Sequence, residues 1–211
     1  MFLVVLGLTW LGGCSLHQAK PIIGTVQDAS TGEPIDNALV VAEWRLTSGF
    51  FHTTEAGVLA IKEIRTDKQG RFTVPGWGTR ITFANNAANS PIIQIFKPGY
   101  SLGYFPTDNF ERGYRLSLDS DWSGKTLLLK PVVGELALIN EVESLESLAH
   151  IFTWRWRKEP CLWEIIPDTA AEILNAKKRF SANKVPNYLP GMDSFSAECS
   201  NPMQVLKEYL K

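Results

Sequence analysis

Short runs of β-branched and aromatic residues, each ended by turn residues, fill the chain from Pro21 to Val132 and limit the folds open to it. The segments IIGTVQD and NALVVAEWRL are separated by ASTGEP, whose Gly and Pro are typical of a turn. Further strand-like segments are LAIKEIRTD, RFTVPG, PIIQIFKPGY and KTLLLKPV, and the DKQG turn predicts a hairpin between the first two. Frequent turns with no helical period between the strands indicate an antiparallel β-sandwich.

The apolar positions of these segments predict which side chains form the sandwich core. Side chains alternate between the two faces of a strand, so one face of each segment is expected to point inward. The expected inward positions are Ile22, Val26, Val40, Ile64, Phe72 and Ile95.

Five stretches of this region resemble the carboxypeptidase regulatory-like domain. They are GTVQD at 24–28, TGEPI at 31–35, NALV at 37–40, TDKQGRF at 66–72 and KPGY at 97–100. The resemblance implies a transthyretin-like sandwich over residues 21–132 and a role as an accessory module beside catalytic or transport units. The stretch TSGFFHTTEAGV is longer than the simplest members of that family need, which predicts an inserted loop there.

The hydrophobic pattern changes to a helical period after Val133. Leu138, Val142, Leu145, Ala149 and Phe152 are spaced by four and three residues, which predicts an amphipathic helix that packs on the sandwich. DTAAEILNAKKRF predicts a second helix, with Thr169 and Glu172 as a capping box, and PMQVLKEYLK predicts a third. We therefore expect a helical segment over residues 133–211.

An apolar run from Phe2 to Leu11 precedes all of these elements. It is too short to span a bilayer as a helix but has the length of the apolar core of a signal peptide, although no Lys or Arg precedes Lys20. Leu11, Gly12, Gly13 and Cys14 resemble the lipobox of bacterial lipoproteins. This resemblance implies a signal peptide over residues 1–13, a diacylglycerol on the Cys14 sulfur and, with Ser15 next, an outer-membrane anchor facing the periplasm. The alternative is that Cys14 is an incidental thiol.

The remaining two cysteines, Cys161 and Cys199, form an even number in a chain expected to be exported, so we predict a disulfide between them. Two buried free thiols are the alternative, because spacing does not give geometry. The formal net charge of −1 argues against nucleic acid as a partner. We expect no cofactor and no bound metal.

Two constellations suggest an envelope hydrolase as the alternative function. Gly99 to Gly103 fits the G-x-S-x-G pattern with Ser101 as nucleophile, and Asp119 and His150 follow in the order of that fold. The pattern also needs a helix directly after the serine, and the Gly and Pro of LGYFP do not favour one. Glu143, Glu146 and His150 share one flank of the first predicted helix and could hold a metal, but a solvated flank explains them as well.

Aromatic and cationic side chains alternate at Trp154, Arg155, Trp156 and Arg157. In an extended chain both Trp rings would share one face, which makes this stretch a candidate surface for binding a sugar or a membrane headgroup. Packing of the Trp rings between helix and sandwich is the alternative. The sequence as a whole favours a non-catalytic, lipid-anchored envelope protein with an envelope protein or a glycan as partner.

Overall fold

The computed structural model describes residues 14–48, 54–83, 86–107, 116–134, 136–155, 161–183 and 199–210. The strands are β1 (Cys14–Ala19), β2 (Ile22–Asp28), β3 (Leu39–Ser48), β4 (Thr54–Arg65), β5 (Arg71–Val74), β6 (Trp77–Phe83), β7 (Asn86–Ala88), β8 (Ile92–Phe96), β9 (Gly103–Phe105) and β10 (Lys125–Leu129). The helices are α1 (Leu136–Arg155), α2 (Leu162–Ile165), α3 (Pro167–Ala182) and α4 (Pro202–Val205), and a 3₁₀ turn follows at Leu206–Glu208.

The described strands form three sheets. One has the order β4-β3-β8-β9 with β7 also paired to β3, the second has the order β10-β2-β5, and β1 pairs with β6. The described pairings between strands are antiparallel apart from β2 with β10, which is parallel. The predicted fold class, a mainly antiparallel β-sandwich followed by helices, is confirmed.

Two hydrophobic clusters lie on the two faces of the sheet that contains β3. On one face Val40, Ala42 and Ile95 pack with side chains of β2, β5 and β10 and form the core between the two larger sheets. On the other face Leu39 and Val41 pack with α1 and α3. Residues 39–44 are therefore buried without interruption, because β3 is covered by a sheet on one side and by helices on the other.

The turn after β4 differs from the predicted hairpin. β5 pairs with β2 in the second sheet, whereas β4 pairs with β3 in the first. The chain crosses between the sheets at Thr66, whose hydroxyl donates to the Ile35 carbonyl and accepts the Ala38 amide. Gly70 completes the crossing at φ +70, where a Cβ would lie 2.4 Å from the Val26 carbonyl oxygen. The hairpin prediction was wrong because a tight turn does not by itself specify which strands pair.

Three smaller expectations also need correction. Ile64 is 37% exposed because it lies on the edge strand β4 and lines an open groove beside β2 and β5. The expected inserted loop is largely a continuation of strands β3 and β4, since their antiparallel pairing extends to Ser48 and Thr54. Leu138 is 43% exposed near the start of α1, while the four later positions of the predicted stripe are buried.

The disulfide between Cys161 and Cys199 is confirmed, with the two Cα atoms 5.6 Å apart. It joins the residue that precedes α2 to the chain that leads into α4. α2 was not predicted from the sequence, and its Leu162 and Trp163 are buried in the helical cluster. The bridge therefore fastens the last described segment, including the buried Leu206, to the rest of the helical layer.

Candidate functional site

Cys14 is the first residue of β1, and it is exposed. The other two cysteines of the chain are joined in the disulfide, so Cys14 has the free thiol. Its Cα is paired in register with that of Phe83 in β6. The residue that the sequence singles out for lipid attachment thus lies in a strand, and its sulfur can be reached from solvent.

The strand that follows Cys14 is held on both of its edges. β6 pairs with one edge, and on the other the Gln18 amide donates to the Leu116 carbonyl at 2.8 Å while the Leu118 amide donates to the Gln18 carbonyl at 2.8 Å. On the inner face His17 is 1% exposed, and its Nε2 lies 3.0 Å from the Thr82 hydroxyl. Cys14 is therefore joined to the folded body by a fixed strand rather than by a linker.

The signal-peptide prediction for residues 1–13 lies outside the described residues. Among the described helices, none combines the length and the apolar composition needed to cross a bilayer.

Ser101 and Asp119, two members of the predicted hydrolase triad, have structural partners. The Ser101 amide donates to the Lys130 carbonyl at 2.9 Å, and the next element is β9 rather than a helix. Asp119 accepts the Lys20 backbone amide at 2.9 Å and lies 3.2 Å from its ammonium group. Serine hydrolases of the G-x-S-x-G type place the nucleophile between a strand and a helix, and the described chain at Ser101 differs from that arrangement.

The predicted metal-binding residues lie on α1. Glu143 and His150 are exposed and Glu146 is half-buried. Within the described parts of the chain, no three His, Cys, Asp or Glu side chains are grouped closely enough to hold a metal ion.

The candidate binding surface falls at the end of α1. Trp154 and Arg155 are the last two residues of that helix, which extends three residues beyond the predicted segment. Their backbone is helical, so the extended arrangement assumed for the aromatic platform is wrong at these two positions. Their side chains, together with Trp156 and Arg157, lie outside the described residues.

A group of polar side chains between β4 and α3 was missed by the sequence analysis. Glu63 accepts the Asp168 amide through Oε1 at 2.7 Å, and through Oε2 it accepts the Thr169 amide at 2.9 Å and the Thr169 hydroxyl at 2.6 Å. Arg65 donates to Asp168 at 2.7 Å and to Glu172 at 2.9 Å. These five residues form a polar latch that fixes the first turns of α3 to the sheet.

Burial raises the pKa of the Glu63 carboxyl to about 7, while the hydrogen bonds from Thr169 and Asp168 act to lower it. The predicted capping box was wrong, because α3 begins at Pro167, so that Thr169 lies within its first turn. Glu63 of β4 accepts the Thr169 amide that Glu172 would have accepted in a capping box, and Glu172 is bonded to Arg65 instead. The alternation in IKEIR places Glu63 and Arg65 on one face of β4, which was the signal available in the sequence.

An open groove of about 610 Å³ lies along β2, β5 and the end of β4. Ile23 and Ile64 are exposed on its walls. Its basic residues Arg65, Arg71 and Lys125 each already contact a neighbouring side chain, two in ion pairs and Lys125 over the Trp122 ring. These positively charged groups already take part in contacts within the protein. We therefore assign no ligand to the groove.

Comparison with known proteins leaves the family of this chain open. The sequence matches no protein-family model and no curated protein. Nine chains of known structure match this chain, and the resemblance to the carboxypeptidase regulatory-like domain stays a prediction.

Three of these structures illustrate the range. A 3-chlorocatechol 1,2-dioxygenase from Rhodococcus opacus 1CP is 18% identical over 56% of this chain and 61% of its own length, with a TM-score of 0.29. The C-terminal domain of the shaft pilin SpaA from Lactobacillus rhamnosus GG is 15% identical over 56% of this chain and 99% of that domain, with a TM-score of 0.26. An alternative pilotin from the type II secretion system of Vibrio cholerae is 19% identical over 55% of this chain and 98% of the pilotin, with a TM-score of 0.27. At these TM-scores the matches assign neither a family nor a function.

Proposed function

We propose that this protein is an envelope lipoprotein that is anchored through Cys14 and acts without catalysis as a binding or structural accessory module. The supporting observation is the position of Cys14. Its thiol is exposed, and it is the first residue of a strand held on both edges. Removal of residues 1–13 would therefore leave a lipid-bearing N-terminal residue that is joined to the folded body by a paired strand.

The anchor itself would be a diacylglycerol in thioether linkage to the Cys14 sulfur, with further acylation of the new amino group. Each buried methylene contributes about 0.8 kcal/mol, so two or three acyl chains hold a protein on a membrane where a single chain would be marginal. With Ser15 next to the cysteine, the lipoprotein pattern favours the outer membrane, with the body facing the periplasm. An oxidising compartment also suits the disulfide between Cys161 and Cys199.

The structural environment of the candidate catalytic residues supports an accessory role. Ser101 precedes a strand, and Asp119 is bonded to Lys20. Sandwich domains commonly present their loops to partners, and an envelope protein or a glycan is the partner class that the resemblance implies.

The decisive experiment is metabolic labelling with radiolabelled palmitate in a bacterium that processes lipoproteins. We expect the label to enter the wild-type protein and the protein to fractionate with the outer membrane. Cys14→Ala should lose both the label and the membrane association, whereas Cys161→Ala, as a matched control, should keep them. Absence of label from the wild-type protein, or an unchanged distribution of Cys14→Ala, contradicts the proposal.

The hydrolase alternative has its own test with the same preparations. A serine hydrolase would react with a fluorophosphonate probe and lose that reaction in Ser101→Ala. A metal hydrolase would purify with stoichiometric zinc, and this zinc would be lost on replacing His150. We expect neither signal.

A further inference from the structure

Cys14 shares one face of the β1–β6 ribbon with two exposed apolar side chains. Along β1 exposure alternates, with Cys14, Leu16 and Gln18 exposed and the residues between them buried. In register, Leu16 is paired with Ile81 of β6. Directly paired residues project to the same side of a sheet, so Cys14, Leu16 and Ile81 lie on one face, which we call the anchor face.

The apolar pair on the anchor face is accessible to a large extent. Leu16 is 50% exposed and Ile81 is 58% exposed, although they are direct cross-strand neighbours. On the opposite face of the ribbon Ser15, His17 and Thr82 are buried, and Arg80 is exposed. The buried residues of the inner face therefore pack within the protein, whereas adjacent apolar groups on the outer face are in contact with solvent.

The cationic side chains near the ribbon form contacts away from the anchor face. Arg80 belongs to the inner side, since it is paired with the buried His17; its guanidinium donates to the Leu59 carbonyl and lies 5.4 Å from the centre of the Trp77 ring. Lys20, beyond the end of β1, is paired with Asp119. The anchor face thus combines the cysteine with apolar and neutral polar groups.

The distance between the anchor and this pair is fixed by the strand. A β-strand advances about 3.4 Å per residue, so the Cα atoms of Cys14 and Leu16 are separated by about 7 Å. An acyl chain on the Cys14 sulfur would enter the hydrocarbon layer from the same face, with no flexible residues between it and Leu16. Leu16 and Ile81 would then lie at the depth of the headgroup and acyl boundary, where apolar side chains of peripheral proteins insert.

We propose that the anchor face lies flat against the bilayer that holds the acyl chains, with Leu16 and Ile81 inserted into the membrane interface. This inference rests on the proposed lipid anchor and extends it. The protein would then be held in a fixed orientation rather than on a loose tether.

A fluorescence-quenching experiment tests the orientation. Lipidated protein is reconstituted into vesicles of phosphatidylethanolamine and phosphatidylglycerol that contain a lipid with a nitroxide on its acyl chain. A single cysteine is introduced and labelled with bimane in Ile81→Cys or, as the matched control, in Leu128→Cys. Leu128 is 53% exposed but belongs to β10 in another sheet. The lipidated Cys14 and the disulfide cysteines do not react with the label.

We expect the nitroxide lipid to remove most of the fluorescence of the label at position 81 and to leave the label at position 128 unchanged. Vesicle flotation and palmitate incorporation, measured on the same samples, report the anchor separately. If the protein floats with its lipid but the label at position 81 is not quenched, the anchor stands and the orientation is wrong. Shielding of position 81 by a second copy of the chain would give this same unquenched result. If palmitate is absent, the proposed function fails and this inference fails with it.

The side-chain contribution is tested by the double variant Leu16→Asn with Ile81→Asn. Both positions are exposed, so the fold should be retained, and circular dichroism checks this. We expect quenching of a label at Thr79→Cys, on the same strand, to fall in the double variant, whereas Ile23→Asn with Leu128→Asn should leave it unchanged. Equal quenching in both variants would show that Leu16 and Ile81 do not contact the lipid.

Discussion

The Glu63 carboxylate on β4 binds Thr169 in the first turn of α3 twice, accepting its backbone amide at 2.9 Å and its hydroxyl at 2.6 Å. The two residues are 106 positions apart in the chain. This contact connects the sheet layer to the helical layer at a helix N-terminus, where backbone amides lack partners within the helix and a negative charge is favoured. The hydrogen bonds from Thr169 and Asp168 therefore favour the charged form of Glu63, while burial of its carboxyl opposes that form with the larger effect.

The first prediction concerns the pH dependence of stability. Burial places the pKa of Glu63 at about 7 in the folded protein, above its ordinary value of 4.5. Between these values the folded state holds the proton and the unfolded state does not, so the contribution of Glu63 to stability is full below about pH 4.5 and is lost as the pH rises to 7. In Glu63→Gln this part of the decline should disappear.

The measurement is urea unfolding at several values between pH 5 and 8. One pH unit of such a decline corresponds to at most about 1.4 kcal/mol. Glu141, whose pKa burial also raises, contributes in the same direction in both proteins, so the difference between wild type and Glu63→Gln isolates Glu63. Glu33→Gln on an exposed turn is the control and should retain the wild-type slope. A Glu63→Gln profile as steep as that of the wild type contradicts the prediction.

The second prediction concerns Arg65, which joins two carboxylates of α3. Arg65→Met should lower the free energy of unfolding by about 1.5–3 kcal/mol, because the partly buried carboxylates of Asp168 and Glu172 lose a charged hydrogen-bond donor. Arg65→Lys should recover only part of this loss, since one ammonium group does not reproduce the fixed spacing of the guanidinium nitrogens that donate to Asp168 and Glu172. Chemical denaturation of the three proteins at one pH gives the comparison. Full recovery by lysine would show that charge alone, without the paired geometry, sets the contribution.

The sequence predicted those features that depend on local pattern. The apolar run NALVVAEW and its turn residues predicted β3, and the spacing of Val142, Leu145, Ala149 and Phe152 predicted the buried face of α1. The even number of cysteines beyond Cys14 predicted the disulfide. Each of these predictions depends only on the residues of one element or on the number of cysteines.

The features that were missed depend on contacts between distant elements. The DKQG turn joins β4 and β5, but Gly70 and Thr66 send the chain into the other sheet, and no local pattern reports that partner. Alternation on β4 places Glu63 and Arg65 together without indicating that α3 covers them. In the same way CSLHQA shows that Cys14 and Leu16 share a face, whereas the exposed partner Ile81 follows only from the register of β1 with β6.

The third prediction concerns the disulfide. Cys161→Ser with Cys199→Ser should lower the free energy of unfolding by about 2–5 kcal/mol, because the bridge closes a long loop and limits the unfolded chain. The buried Leu206 follows this bridge and should become accessible earlier during unfolding. Urea unfolding with and without reductant provides the measurement. Reductant should destabilise the wild type and leave the double variant unaffected; equal stability of the two proteins without reductant would contradict the prediction.

The fourth prediction concerns Gly24 in β2, which lies beside the ring of its cross-strand partner Phe72 in the sandwich core. A Cβ at position 24 would lie 2.7 Å from Phe72 Cζ and 3.2 Å from the Lys125 carbonyl oxygen, so Gly24→Ala forces the buried ring to move. Overpacking of this kind costs about 1–3 kcal/mol. Gly78→Ala is the matched control, because a Cβ there meets no atom within 4 Å, and we expect a change within about 0.5 kcal/mol.

In a double-mutant cycle, Gly24→Ala should be less costly when Phe72 is replaced by Leu, since the smaller side chain leaves room for the methyl group. Additive losses in that cycle would show that the strain arises at the Lys125 carbonyl and not at the ring.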